Sequence, residues 1–453
     1  MKVYLKIIIF ILIINNYLYS EINFYENPLW KDLKGILQNH PTIKSQILNL
    51  SSKIEEYKFK KSYYPDPRFG IMWSNVPYNK HLKFQFDKDP MSGIEYSISQ
   101  PIPFPGKLSL EAKIQEIEVE LERLKLGMEY NQTTKKILNL LLSYYTTEDI
   151  HLLLEEYYNK FKIIKESNKA KYTTGKGTLT DYSNAILLEK QLEEEMIQIQ
   201  GNSSSQIENL NYYYSIINNQ NYKGKTYKKE ILNYIEFLYN LAKDKNEDLI
   251  IKESITYNFY LILPELENKK IKLQKYEYFP DFEIFFSYMV RKKIPDNSMS
   301  GEDLMSAGIS FRIPLWSAIS NPNAVNSQEY NFQKTNVELE EIELNLKTKL
   351  RELKIEINTL KTRIHYYKNI LIPQLELSYQ SGLLNYTVGK IDYYNLWMIL
   401  LDLIKFNKEY YQLQKEYYFK IIDYLELSNQ ILPEIPKITI NNNLIIKEVN
   451  NEK

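Results

Sequence analysis

Cysteine is absent from all 453 residues. Disulfides, thiol catalysis and thiolate metal sites are therefore excluded. His40, His81, His151 and His365 stand singly, so no imidazole cluster offers a metal site. Glycine occupies only 13 positions, beside 40 tyrosines. Neither sign of charge is in excess, because 57 Lys and Arg balance 57 Asp and Glu. Residues 1–20 hold Lys2 and Lys6 and no acid, so without them the balance is 55 against 57, a net −2. A nucleic-acid binder usually carries a basic excess or stripe, which is missing here. Mean hydropathy is −0.43. No apolar run of about 18 residues occurs beyond the extreme N-terminus, which excludes a bundle of membrane-spanning helices. With 25% charged and 44% hydrophobic residues, the composition is that of an ordinary globular protein. Length alone suggests about three domains.

The N-terminus is built like an export signal. Met1-Lys-Val-Tyr-Leu-Lys6 is basic, Ile7 to Ile14 is unbroken apolar sequence, and Asn15 to Ser20 is more polar. That three-part order predicts a secretory signal over 1–20, and the apolar run is too short to span a bilayer. No cysteine follows it to take a lipid. The mature chain is expected outside the cytoplasm, stabilised by a large core or by oligomerisation and not by disulfides.

The mature sequence repeats itself. Tyr64-Pro65-Asp66-Pro67 and then Ile98-Ser99-Gln100-Pro101-Ile102-Pro103-Phe104 return as Phe279-Pro280-Asp281-Phe282 and Ile309-Ser310-Phe311-Arg312-Ile313-Pro314-Leu315. Each copy leads into a long helical pattern and a Gly-Lys turn, Gly175-Lys176 and Gly389-Lys390. A duplicated supersecondary unit accounts for the length better than three unrelated domains. Around the repeated motifs the chain alternates with period two. Ile94, Tyr96 and Ile98 share one face, as do Phe69, Ile71 and Trp73, then Phe282, Ile284, Phe286, Tyr288 and Val290, then Ala307, Ile309, Phe311 and Ile313. Such alternation places every apolar side chain on one side of a strand. Taken alone, the strands also suit a soluble two-hairpin sheet with one buried face.

The helical stretches favour a different reading. From 107 to 174 there is no proline and a single glycine, Gly127. Leu110, Ile114, Ile117, Leu121, Leu124 and Met128 step by four and three, and Leu353, Ile357, Leu360, Ile364, Tyr367 and Leu371 do the same. That is the heptad spacing of helices packed side by side. A straight helix over 107–174 would reach about 100 Å, several bilayer thicknesses, and its charged flanks require water. The predicted organisation is a signal at 1–20 and a first repeat over 21–245, with strands near 69–76 and 93–101 and helices 107–174 and 179–205. A second repeat covers 246–430, with strands near 281–290 and 304–313 and helices 325–388 and 390–428, before an extended tail over 431–453. Four strands cannot close a barrel, and an open sheet edge is not tolerated in lipid. Either the sheet stays in water or several chains pool their strands.

These stretches resemble the TolC family of outer-membrane efflux proteins over about 27–430. The resemblance rests on Asn39-His40-Pro41-Thr42-Ile43, on Ile98-Ser-Gln-Pro-Ile-Pro-Phe-Pro-Gly-Lys107, on Tyr172-Thr-Thr-Gly-Lys-Gly-Thr-Leu-Thr-Asp181-Tyr-Ser-Asn-Ala185, and on Ile372-Pro373-Gln374 followed by Tyr386-Thr-Val-Gly389-Lys390. It implies an α+β membrane channel, a homotrimer with a 12-stranded β-barrel in the outer membrane and a 12-helix α-barrel in the periplasm. It also implies an equatorial belt from residues near 205–265 and the C-terminal region. The implied partners are a periplasmic adaptor, an inner-membrane pump and outer-membrane lipid. No cofactor, metal or catalysis is implied.

On that fold Trp73, Tyr96, Phe286 and Phe311 would face lipid, and Glu95, Glu283 and Arg312 the aqueous lumen. Segments 77–90 and 291–303 would form external loops. Gly175 and Gly389 would mark the helical-turn tips. The family's gate residues match Asp181 and Tyr386, whereas its gate arginine is replaced by Ile391, with Lys390 adjacent. Two acidic rings of the family's drug-pump prototype fall on Asn395 and Met398, which leaves Asp392 as a nearby acid. Without those rings, cation selectivity is expected to be weak. Asp181 also reads simply as a helix-N-terminal acid favoured by the dipole. Other readings are a type I protein-secretion exit on the same fold and a periplasmic adaptor. An adaptor has a single hairpin flanked by Gly- and Val-rich β-domains, which this chain lacks. No convincing enzyme motif is present.

Overall fold

The computed structural model describes residues 28–76, 89, 91–218, 222, 227–292 and 301–432. The expected signal, most of both expected external loops and the tail beyond 432 lie outside the described residues.

The chain opens with α1 (Pro28–Asn39) and α2 (Pro41–Ser62), each with proline in its first position, where the missing N–H costs nothing. Strands β1 (Arg68–Ser74) and β2 (Gly93–Ile102) follow, then α3 (Lys107–Thr173) and α4 (Leu179–Asn218). Shorter helices α5 (Lys228–Ala242) and α6 (Glu247–Glu253) precede α7 (Ile255–Tyr276). The second set is β3 (Phe282–Arg291), β4 (Leu304–Phe311), α8 (Leu315–Tyr366), a π-turn over Tyr367–Leu371, α9 (Ile372–Thr387) and α10 (Tyr393–Leu427). Strand pair and helical hairpin thus occur twice, the α+β duplication that the sequence predicts.

Helix boundaries depart from expectation at three places. α4 does not stop at 205 but continues through Gly201 and three serines to Asn218, because Leu210 and Tyr214 are buried in the core. Tertiary packing there outweighs weak helix propensity. α8 begins at Leu315 and not at 325, carrying Pro322 within its early turns. Asn321 anchors this stretch, since its amide donates to the Gln274 carbonyl at 3.0 Å and its own carbonyl accepts from the Gln274 side chain. The predicted helix 325–388 is interrupted by the π-turn, in which the Ile372 N–H reaches back five residues to the Tyr367 carbonyl. Pro373 follows immediately, with no N–H to give and a ring that crowds the preceding turn. A widened turn absorbs that conflict.

The four strands form one antiparallel sheet in the order β1-β2-β3-β4. Arg68 lies opposite Ser99 in the first strand pair, and Glu283 lies opposite Ser310 in the second. These are the same pairs displaced by 215 and 211 residues, so the duplication holds to the level of register. The backbone folds into two compact units, Leu48–Leu124 with Phe259–Glu341, and the other described residues. Each repeat contributes to both units, so the units do not follow the repeats.

In the sheet-bearing unit the helices keep the order of the strands. α2 is tied to α3 by Lys60–Glu111 at 2.8 Å and Lys53–Glu118 at 3.2 Å. α3 packs on α7 through Ile114, Leu121 and Leu266. α7 meets α8 at Gln274–Asn321 and Lys275–Glu329. The row α2-α3-α7-α8 therefore repeats β1-β2-β3-β4, each helix continuing the strand beside it in sequence.

The other unit holds the largest core. Leu29, Trp30, Leu33 and Ile36 of α1 pack with Ile137, Leu138 and Leu141 of α3, Ile231 and Tyr234 of α5, and Ile421 and Leu425 of α10. Tyrosines inside it pair their hydroxyls: Tyr145 and Tyr222 share a hydroxyl contact of 2.9 Å, Tyr145 also accepts from the Tyr227 N–H, and the Tyr227 hydroxyl donates to Asp32 at 2.8 Å.

His40, in the corner between α1 and α2, is buried beside this core. It stacks on Tyr213 and meets the edge of Tyr212, and its Nδ1 finds no hydrogen-bond partner among the described residues. Burial lowers its pKa, a shift opposed by Glu129 and reinforced by Lys136. The unfolded chain therefore takes up this proton first, and the His40 contribution to stability falls as the pH drops below the ordinary histidine value of about 6.5. Thermal melts between pH 7 and 5 should show that loss, and His40→Phe should flatten it. An unchanged slope in the variant would show that His40 is not held neutral.

Candidate functional site

The sheet is inverted relative to a soluble one. Directly opposed residues in an antiparallel pair share a face. The register therefore gathers Phe69, Ile71 and Trp73 with Ile94, Tyr96 and Ile98, and these with Val290, Tyr288, Phe286 and Ile309. This apolar face is open: Trp73 is 63% exposed, Phe69 68% and Ile309 65%. The polar face is the more enclosed, with Ser74 and Ser287 buried. On it Ser74 donates to Glu95 at 2.6 Å, Ser99 donates to Glu283 at 2.6 Å, and Arg68 stands 3.6 Å from Glu283. Arg312 lies one residue beyond β4, and its N–H donates to the Asp281 carbonyl at 3.0 Å. Trp73, Tyr96, Phe286 and Phe311 therefore share the exposed apolar side, opposite Glu95 and Glu283, with Arg312 following the polar alternation at the strand's end. Ten residues of strand span about 33 Å, enough to cross an apolar layer when tilted.

The helical hairpins turn by one device used twice. Gly175 and Gly389 take φ of +68° and +73°, where a side chain would be strained. The Lys176 N–H donates to the Lys171 carbonyl at 2.9 Å, and the Lys390 N–H to the Asn385 carbonyl at 2.8 Å, each five residues back. The return helices are capped in matching positions. Thr178 and Asp181 exchange hydrogen bonds at 2.7 and 3.0 Å, a reciprocal cap at the start of α4. Asp392 caps α10 by accepting from the Asn395 N–H at 2.9 Å. Both acids thus serve their own helix N-termini within the chain.

Tyr386 is placed differently. It is buried, and its hydroxyl donates to Asn168, not to Asp181. The Lys171 ammonium sits 3.6 Å from the centre of the Tyr386 ring, a cation–π contact, and 3.5 Å from the Tyr386 carbonyl. Burial raises the Tyr386 pKa and the nearby Asp181 carboxylate adds to the shift; burial likewise raises Tyr393, whose ring lies 6.4 Å from that of Tyr386. Asn168, Lys171 and Tyr386 thereby join the first hairpin to the second. The motif search missed Asn168 and Lys171, although both lie on the turn of α3 that precedes the recognised Tyr172-Thr-Thr-Gly175 motif. Tyr172 matches Tyr386 in the repeat, yet it is exposed and stacks on Tyr182. Lys390, Asp392, Asn395 and Met398 are exposed.

Among the described residues no group of three or more His, Cys, Asp or Glu is placed to hold a metal ion, and no helix is long and apolar enough to cross a membrane. Asp181→Ala should cost the first turn of α4 about 0.5 kcal/mol, because it removes the carboxylate that accepts from the Thr178 hydroxyl and favours the helix N-terminus. Amide exchange at residues 180–182 should accelerate accordingly, and unchanged protection would remove Asp181 from the cap.

No protein-family model and no curated protein matches the chain. Solved structures do. The outer membrane protein VceC from Vibrio cholerae is 12% identical, with a TM-score of 0.71 over 90% of this chain and 97% of that one. The outer-membrane channel OprN is 9% identical, with a TM-score of 0.73 over 90% and 91%. The Campylobacter jejuni CmeC outer membrane channel is 12% identical, with a TM-score of 0.69 over 88% and 85%. The chain has the fold of these outer-membrane channels, the fold that its resemblance implies.

Proposed function

We propose that copies of this chain assemble into a passive exit duct in an outer membrane, with the sheets pooled into a barrel and the helical hairpins forming a tube in the periplasm. The observation that carries this reading is the open apolar face of the sheet. In water such a face would be buried, as it would be in the soluble alternative of the sequence analysis. Lipid is the solvent in which Phe69, Ile71 and Ile309 lose nothing by staying exposed, while Glu95 and Glu283 line a wet interior. The shared fold with outer-membrane channels supports the same conclusion. Three copies give twelve strands. Transport through such a duct requires no catalytic group, and the driving force would come from an inner-membrane pump reached through a periplasmic adaptor.

The hairpin tips are the proposed gate. Asn168, Lys171 and Tyr386 hold the second hairpin against the first, with Asp181 beside them, and Lys390, Asp392, Asn395 and Met398 lie near the entrance. Loosening the tips widens the narrowest point of the duct.

Two measurements test the duct. The chain should appear in outer-membrane fractions as an oligomer that dissociates only on heating, and its deletion should sensitise cells to dyes, drugs or metals. A monomer confined to the soluble periplasmic fraction would contradict the proposal. In planar bilayers Asp181→Ala and Tyr386→Phe should each raise single-channel conductance, and no change in either would remove these residues from the gate. Because Asn395 and Met398 carry no charge, cation selectivity should be weak. Strong cation selectivity with block by trivalent cations would mean that another acidic ring governs the entrance.

A further inference from the structure

The duplication contains an unfilled position. Inside the chain, the β2-to-α3 junction is clasped by the start of β3. Asp281 accepts from the Phe104 N–H at 2.8 Å and lies 3.5 Å from the Lys107 ammonium, which also meets Glu277 at 2.7 Å. Phe104 stacks on Phe279 with ring centres 4.5 Å apart. The duplication supplies the same parts a second time, but they sit at the two opposite edges of the sheet. Asp66 and Tyr64 match Asp281 and Phe279, and they adjoin the edge strand β1. Leu315 matches Phe104 and follows the other edge strand, β4. All three are exposed, Tyr64 by 50% and Leu315 by 66%, and Asp66 makes no ion pair among the described residues. The Leu315 N–H, lacking an aspartate, turns back onto the Ile313 carbonyl at 2.9 Å. The flanking helices show the same gap. Leu48 on α2 matches Leu263, which packs against α3, but Leu48 is 58% exposed.

We propose that Asp66 of one copy clasps the β4-to-α8 junction of the next copy, accepting a hydrogen bond from its Leu315 N–H. The seam between them repeats the register of β2 on β3. Moving that register by the repeat offsets sets Phe69 opposite Phe311 of the next copy, Ile71 opposite Ile309, and Ser74 opposite Ser306. The faces agree, with Phe69, Ile71 and Trp73 against Phe311, Ile309 and Ala307 on one side and Ser74 against Ser306 on the other, and a slip of one residue would reverse this. The charges agree as well. Ala318 stands where Lys107 stands in the first copy, and the register instead brings Arg312 of the next copy opposite Arg68. Arg68 faces Glu283 of its own chain at 3.6 Å, and Asp66 supplies the countercharge for Arg312 of the next copy. The contact joins two different edges, so it repeats head to tail and closes into a ring once the rotation permits.

This inference rests on the duct reading, and the absence of native cysteine provides a direct test. The full chain carrying Ser74→Cys and Ser306→Cys is expressed with its N-terminus intact, and outer membranes are oxidised and run on non-reducing gels. Opposed residues across a strand pair lie within disulfide reach, whereas these two serines of one chain are three strand spacings apart, about 14 Å. A reductant-sensitive covalent oligomer is expected, and Ser74→Cys with Ala307→Cys, on opposite faces, should give none. Asp66→Asn should lower the temperature at which the uncrosslinked oligomer dissociates. A heat-modifiable oligomer that the Ser74/Ser306 pair fails to crosslink would overturn the seam and leave the duct standing. Crosslinking with an unshifted dissociation temperature in Asp66→Asn would overturn the clasp. A chain that never oligomerises would overturn both the seam and the duct.

Discussion

A β-sheet surrounded by lipid has no water to satisfy its edges, so each edge N–H and C=O must find another strand. On the duct reading that constraint organises this chain. Among the described residues its four strands present a continuous, exposed apolar face, and β1 and β4 each pair on one side only. One chain thus has a wall suited to lipid and two edges that lipid does not tolerate. On the proposed reading further copies of the same strands resolve the conflict, because the sheet contains a strand pair twice and its two edges match as β2 matches β3.

The helices inherit this arrangement. Each helix of the row α2-α3-α7-α8 continues a strand, so pairing of strands also sets neighbouring helices side by side. Glycine is required at Gly175 and Gly389, where the hairpins reverse with positive φ. Caps at Thr178, Asp181 and Asp392 then start the return helices. Function on this reading depends little on reactive groups. It follows from which faces are wet and from how firmly Tyr386 is held by Asn168 and Lys171.

Much of the fold is legible in the sequence because its signals are periodic. Alternation at Ile94, Tyr96 and Ile98 marks β2, and the absence of proline over 107–174 marks α3. The π-turn at Tyr367–Leu371 escapes, because heptad stepping continues through Tyr367 and Leu371 as if the helix were regular. Pro373 was the available signal, and its effect falls on the turn before it. The tips are legible in outline and not in partnership. Motif matching finds Asp181 and Tyr386, but burial decides that Tyr386 bonds to Asn168, which no spacing rule identifies. The inverted sheet is ambiguous for a related reason. Alternation reveals that one face is apolar, and only the packed chain reveals that this face stays exposed.

The central claim is that the apolar face meets lipid while the polar face meets water. Single-cysteine variants along β2, from Ile94 to Ser99, can carry nitroxide labels without interference from native thiols. In protein reconstituted into vesicles, labels at Ile94, Tyr96 and Ile98 should relax with dissolved oxygen, and labels at Glu95, Ser97 and Ser99 with a water-soluble nickel chelate. A period-two exchange between the two relaxants is the predicted result. Labels that all respond to the nickel chelate alone would contradict it and return the sheet to water.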